Sequence, residues 1–265
     1  IPLLTVHGGP GAPHQYLKPL QALANQRPVI FYDQLGCGRS DRPEDRNLWT
    51  VERFTEELDI LRHTLNLEEV HLLGQSWGSM LAVEYMLRKQ PTGVRSLILS
   101  GPYLSSPLWA KDQRYWIDQL PKKIKQTILE CEANKDFTHP DYQEAVMAFY
   151  RRHLCRMDPW PAELLESMEG MGVAVYQYMW GPSEFTLTGT LKEADLTPRL
   201  HLLHLPVLLT CGEFDEARPE TVAYFQSLIP GARMHTFSGA SHSHLLEQPQ
   251  RVQRTLRSFL RSTDS

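Results

Sequence analysis

The stretch Val70-His71-Leu72-Leu73-Gly74-Gln75-Ser76-Trp77-Gly78 decides how this chain folds. Its first four residues form a short β-rich run, and the residues after Gly78 open a segment of helical period, so a strand passes directly into a helix. The junction, Gly74-Gln75-Ser76-Trp77-Gly78, matches G-x-S-x-G and stands where the mechanics of that motif require. Two glycines permit a strained strand-to-helix turn that lifts a serine hydroxyl above a sheet, while the helix N-terminus lends backbone donors and positive potential. Ser76 is therefore the candidate nucleophile, with a plain helix N-cap serine as the bland alternative.

Working outward, Leu3 to Val6, Val29 to Tyr32 and Val94 to Leu99 are further β-rich runs bounded by turn signals. Val51, Phe54, Leu58, Leu61 and Leu65 recur at steps of three and four, which predicts a helix with one apolar stripe packed on a sheet. Strand, helix, strand, helix in that order argues for a mostly parallel, doubly wound α/β sheet with helices on both faces. From about Ser105 no strand-like run occurs until Leu205, and the interval is rich in Trp, Tyr, Met and amphipathic stretches such as Ile124 to Leu129. The rhythm then resumes with a strand over Val207 to Cys211, a helix over Pro219 to Leu228, a strand over Arg233 to Phe237, and a last helix whose Val252, Leu256 and Phe259 face inward. The expectation is one α/β core, residues 1–104 and 191–265, with a helical cap over residues 105–190 inserted after the nucleophile half.

Composition restricts the function classes. The chain of 265 residues is 42% hydrophobic and 22% charged, without a run of 18 apolar residues, which predicts a soluble globular protein. A net charge of −4 without long single-sign blocks leaves no footprint for nucleic acid or an anionic membrane. Cys37, Cys131, Cys155 and Cys211 lie far apart with no C-x-x-C pair, which indicates neither a zinc site nor a disulfide framework. No signal-peptide pattern opens the chain, so a cytoplasmic location is expected. The abrupt start on a buried-looking strand suggests an N-terminal truncation.

A serine nucleophile needs a base to take its proton and a carboxylate to fix the base's tautomer. Asp215 lies in Gly212-Glu213-Phe214-Asp215-Glu216, a loop at the carboxyl end of the predicted strand Val207 to Cys211, where active-site loops gather. His242 lies in Gly239-Ala240-Ser241-His242, after the strand Arg233 to Phe237. The order Ser76, Asp215, His242 suits a triad, with His244 as the rival base; His7 and the other histidines are assigned no proton-transfer role. Acyl transfer also needs backbone donors for the developing oxyanion. His7-Gly8-Gly9-Pro10-Gly11, following the first strand, offers the amide of Gly9, and the residue after the nucleophile offers that of Trp77.

Four blocks taken in order, His7 to Gly11, Asp33-Gln34-Leu35-Gly36-Cys37-Gly38-Arg39-Ser40, Gly74 to Ser79 and Gly212 to Glu216, resemble the proline iminopeptidases over essentially the whole chain. The resemblance implies the α/β-hydrolase fold and removal of an N-terminal residue, often proline, from small peptides or amino-acid amides with a free N-terminus. It implies further that Glu184, in Trp180-Gly181-Pro182-Ser183-Glu184-Phe185, and Glu216 are the glutamates that hold the substrate's amine. Two carboxylates converging on a protonated amine would compensate its desolvation and reject blocked N-termini. The family generally carries about two strands before the His-Gly-Gly-Pro-Gly strand, for which this chain has no residues. No cofactor or metal is expected, since neither H-E-x-x-H nor a dinucleotide glycine pattern occurs. An amidase or esterase on the same triad, or a non-catalytic ligand-binding relative, are the alternatives; the oligomeric state is not readable. Tyr176, Tyr178, Trp180 and Phe185 are open between lining the pocket and packing the cap.

Overall fold

Alternation along the strands builds a sheet with two apolar faces. The computed structural model describes residues 1–264. Its strands β1 (Leu3–Val6), β2 (Val29–Ile30), β3 (Val70–Gln75), β4 (Val94–Ser100), β5 (Val207–Gly212) and β6 (Arg233–Phe237) pair in the order β2-β1-β3-β4-β5-β6, every pair parallel. Because successive side chains point to opposite faces, Leu4, Val6, Leu72, Leu97, Leu99 and Leu209 enter one apolar cluster while Leu3, Leu73, Ile98 and Leu208 enter another.

Helices α1 (Val51–Thr64) and α2 (Trp77–Lys89) cover the first face; its cluster takes Phe54 and Leu58 from α1 and Met80, Leu81 and Tyr85 from α2. The second face is covered by the 3₁₀ segment His14–Asn25 and by the helix over Pro249–Arg261, which contribute Leu17, Leu20, Leu23, Val252, Leu256 and Phe259. Between β4 and β5 run α3 (Ser106–Asp118), α4 (Lys122–Asn134), α5 (Pro140–His153), α6 (Ala162–Glu169) and α7 (Val173–Met179). Ile117, Ile128, Tyr142 and Phe149 of α3 to α5 join Phe185 in a third cluster of their own. By contrast α6 and α7 reach back to the sheet: Leu164 joins the second-face cluster, and Val175, Met179 and Trp180 the first. After β5 come α8 (Pro219–Leu228), then, beyond β6, α9 (His244–Glu247) and α10 (Pro249–Arg261).

The run Val29 to Tyr32 yields only two paired residues. The edge strand β2 is hydrogen-bonded to β1 alone, through the registers Leu3 to Val29 and Leu4 to Ile30. The chain then leaves the sheet so that the Gln34 amide can reach His7 Nε2, 2.8 Å away.

Sheet order also fixes where a site can form. From β1 the chain goes outward to β2 and then returns to add β3 on β1's other side, so the direction of winding reverses between β1 and β3. Crevices at the carboxyl ends of strands at such a reversal are where doubly wound sheets bind ligands. The registers Val6 to Gly74, Gln75 to Ser100, Ser100 to Thr210 and Gly212 to Phe237 align those ends. The loops holding Gly9, Ser76, Asp215 and His242 therefore leave from one edge.

Candidate active site

Ser76 lies between β3 and α2 with φ 53° and ψ −122°, a left-handed backbone that a serine adopts only under constraint. The constraint comes from packing on both sides. A Cβ at Gly74 would meet the carbonyl of Gly78, and one at Gly78 would meet that of Val6, so only glycines let α2 approach β1 and β3 closely enough for the turn. The Ser76 amide is held by the carbonyl of Ser100 at 2.9 Å.

Asp215 is fully buried in the loop after β5. Its Oδ2 accepts the Gly212 amide at 3.0 Å, and its Oδ1 accepts both the Ala217 amide at 2.9 Å and His242 Nδ1 at 2.7 Å. Burial alone would raise this carboxyl, but the charge and hydrogen bond of His242, with His244 behind it, hold it well below the usual range. His242 is anchored by its own amide on the His153 carbonyl at 2.9 Å and packs edge-on against Trp109. Burial disfavours its charged form; Asp215 first, then Glu216 and Glu184, outweigh that and raise the imidazole to about 9. His244 faces elsewhere: its Nε2 is shared by Ser100 Oγ at 2.8 Å and Thr210 Oγ1 at 3.2 Å, and its Nδ1 is 3.6 Å from Asp215 Oδ2.

Ser76, His242 and Gly9 line one cavity of about 260 Å³, together with Tyr16, Gln75, Tyr150, Tyr176 and Glu184, the apolar Leu154, Leu164, Met168, Met171 and Val173, and the polar Ser167, Gln177 and Ser243. Among the described residues the Gly9 amide has no hydrogen-bond partner, and Trp77, the first residue of α2, has an amide with no intrahelical acceptor. A side-chain network sets the two loops against each other: Trp77 Nε1 donates to Gln34 Oε1 at 2.9 Å, and Gln34 Nε2 donates to the His7 carbonyl at 2.8 Å. His7 is thus a buried structural residue, its imidazole kept neutral by burial.

Glu216 is fully buried, and neither of its carboxylate oxygens has a hydrogen-bond partner among the described residues. Its Oε2 is 3.9 Å from His242 Nε2. Burial, reinforced by the neighbouring Glu184, pushes its carboxyl well above the ordinary range. Glu184 accepts a hydrogen bond from Tyr176 at 2.8 Å, and its amide donates to Tyr150 at 3.3 Å; burial raises its carboxyl too. A buried, unpartnered acid is costly unless a cation arrives to meet it.

Of the aromatics left open, Tyr176 lines the cavity, whereas Tyr178 packs on Trp49, Trp180 on Tyr103 and Trp109, and Phe185 on Phe149. Two participants escaped sequence reasoning. Gln75 Nε2 donates to His242 Nε2 at 3.0 Å, Gln75 Oε1 accepts from the Tyr16 hydroxyl at 2.6 Å, and that hydroxyl accepts the Gly8 amide at 2.7 Å. Gln75 was visible only as the unrestricted position of G-x-S-x-G, and Tyr16 carried no motif.

The arrangement gathers a hydroxyl at a strained turn, an acid-held imidazole and the acid Glu184 around one cavity, with Glu216 buried beside the imidazole. A family model described as the alpha/beta hydrolase fold matches residues 1–249. The chain is 45% identical to a proline iminopeptidase of Heyndrickxia coagulans, over 98% of this chain and 91% of that one. It superposes on the crystal structure of a Mycobacterium smegmatis proline iminopeptidase with a TM-score of 0.93 at 38% identity, covering 100% of this chain and 90% of the other. The crystal structure of VinJ is similar as well, with a TM-score of 0.95 at 34% identity over 99% and 90% of the two chains. With fold, motif order and near-full-length likeness in agreement, this chain belongs to the proline iminopeptidase family of α/β-hydrolases.

Proposed function

We propose that the protein is a serine aminopeptidase that releases an N-terminal residue, proline foremost, from small peptides or amino-acid amides through an acyl-enzyme. The observation that carries the reading is Glu216: a buried carboxyl without a hydrogen-bond partner, 3.9 Å from His242 Nε2 and neighboured by Glu184. A substrate's terminal ammonium would supply the missing donors and charge, placing the first carbonyl beside Ser76.

In the reaction, His242 Nε2 takes the Ser76 proton as Oγ attacks that carbonyl, and Asp215 keeps the Nδ1 proton in place and steadies the imidazolium. The Gly9 and Trp77 amides receive the oxyanion, donors of a kind whose loss costs about 10²–10³ in kcat. His242 then protonates the departing amine, and water, deprotonated by the same imidazole, hydrolyses the ester. Residues 105–190 act as a cap over the core of residues 1–104 and 191–265, supplying Tyr150, Tyr176 and Glu184 to the pocket. Among the described residues no helix is long and apolar enough to cross a membrane, and none of the four cysteines is paired, in keeping with a reducing cytoplasm.

The test is hydrolysis of prolyl-naphthylamide with a free and an N-acetylated amine by wild type and Ser76→Ala. Cleavage of the free-amine substrate only, abolished in the variant, is expected. Equal cleavage of the acetylated substrate would remove Glu184 and Glu216 from the mechanism and indicate a general amidase or esterase.

A further inference from the structure

The cavity has two chemically different ends. One end is lined by the acid Glu184, bonded to Tyr176, with Glu216 fully buried 3.9 Å from the lining residue His242. The remaining wall, beyond Ser76, is mostly apolar, built from Leu154 at the end of α5, Leu164 and Met168 of α6, Met171, and Val173 at the start of α7, with the amide of Gln177 and the hydroxyl of Ser243 beside them. Met168 is 37% exposed and Val173 55%, so this wall reaches solvent and forms the mouth. Apart from Glu184 and His242, no charged side chain lines the cavity among the described residues. Ser167, a second hydroxyl on this side, is already used: it accepts the Tyr16 amide at 2.9 Å and donates to the Pro13 carbonyl at 3.0 Å. Those bonds tie α6 to the 3₁₀ segment His14–Asn25, so the wall is fixed before substrate arrives.

From this we infer that the mouth is a leaving-group subsite for an apolar group, one hydrophobic side chain or an aryl or alkyl amine immediately after the scissile amide. The inference rests on the aminopeptidase reading: with the amine held at the acidic end and the carbonyl at Ser76, whatever follows the bond must exit past Met168, Met171 and Val173. A leucine or phenylalanine side chain there is removed from water against methionine, leucine and valine, whereas an aspartate or lysine loses part of its hydration with no opposite charge to meet it, only the Gln177 amide and the Ser243 hydroxyl. Large apolar residues exposed at a cavity rim are also what binding sites display.

The experiment measures kcat/KM for the dipeptide amides Pro-X-NH2 with X as Gly, Leu, Phe, Asp and Lys. Leu and Phe should exceed Gly by about tenfold or more, and Asp and Lys should fall below Gly. In Met168→Ser/Val173→Ser the advantage of Leu and Phe over Gly should shrink several-fold. In Met168→Lys the Asp substrate should gain on the Lys substrate, a change of preference that a damaged fold does not produce. A flat ranking in the wild type, or equal losses on every substrate in the serine variant with no change of preference in Met168→Lys, would overturn the subsite while leaving the aminopeptidase reading intact. Failure to cleave any of the five would remove that reading and the subsite with it.

Discussion

Gln75 Nε2 is 3.0 Å from His242 Nε2, and no hydrogen bond joins Ser76 to that nitrogen among the described residues. In the neutral imidazole, with the Nδ1 proton committed to Asp215, Nε2 carries the lone pair, and Gln75 can donate to it because its own carbonyl oxygen is fixed by the Tyr16 hydroxyl. The neutral imidazole is thus engaged by the residue before the nucleophile, and Ser76 must take over that nitrogen when substrate enters. Active-site hydrogen bonds of this kind commonly tighten only in the complex.

A donor on the lone pair favours neutral imidazole, so removing it raises the imidazole's pKa. Gln75→Ala should therefore move the acidic limb of the kcat/KM profile to higher pH, by up to about one unit for a bond contributing about 0.5–1.5 kcal/mol. Tyr16→Phe, which frees the Gln75 carbonyl to turn, should shift the same limb by a smaller amount in the same direction. An unmoved limb in both variants would mean that the contact does not bear on the base.

Glu216→Gln should act with the opposite sign. At pH values where Glu216 is ionised, above its own raised range, its charge contributes to raising His242 toward about 9, and the imidazole must be neutral to accept the serine proton. Losing that charge lowers the imidazole, so the acidic limb of kcat/KM moves to lower pH. At the same time the substrate ammonium loses a charged partner, and kcat/KM on free-amine substrates should fall about ten- to a hundredfold at the optimum. Both changes are read from one set of pH-rate profiles on free-amine substrates.

The two histidines of the last loop should separate cleanly. His242→Ala removes the base and should cost at least about 10⁴ in kcat. His244→Gln replaces an imidazole whose Nε2 is bonded to Ser100 and Thr210 inside the sheet edge, so it should lower the unfolding midpoint while keeping kcat within about tenfold. Steady-state kinetics and urea unfolding on the same preparations check both.

The parts of this molecule that obey a local rule were readable in its sequence. The β-rich runs located β1, β3, β4 and β5, because each is buried on both faces over most of its length and its apolar content follows directly, whereas the edge strand β6 buries only Phe237. β2 came out shorter than its apolar run because its end is set by the Gln34 contact with His7, a tertiary demand with no local signature. Ser76, Asp215 and His242 were legible because a strand end, a loop and an order specify them. Gln75 and Tyr16 were not, since a hydrogen bond between residues 59 positions apart leaves no period or spacing to read. The division between Tyr176, in the cavity, and Trp180, in the core, was likewise decided by packing and not by pattern.

The strain at Ser76 offers a prediction in which function and stability part. A serine at φ 53° and ψ −122° is disfavoured by about 1–3 kcal/mol, and glycine relaxes that region at the cost of about 0.5–1 kcal/mol of extra unfolded-chain entropy. Ser76→Gly should thus be inactive yet more stable than wild type by about 1 kcal/mol, raising Tm by about 2–4 °C for a chain of this size. Ser76→Ala, equally inactive, keeps a Cβ in the same strained turn and should show no comparable gain. Gly78→Ala supplies the opposite control: its Cβ meets the Val6 carbonyl, and overpacking there should lower stability by about 1–3 kcal/mol. Thermal unfolding of the four proteins separates the cases. Equal melting of Ser76→Gly and Ser76→Ala would show that the turn's geometry stores no strain, and the serine's activation would then rest on His242 and the helix N-terminus alone.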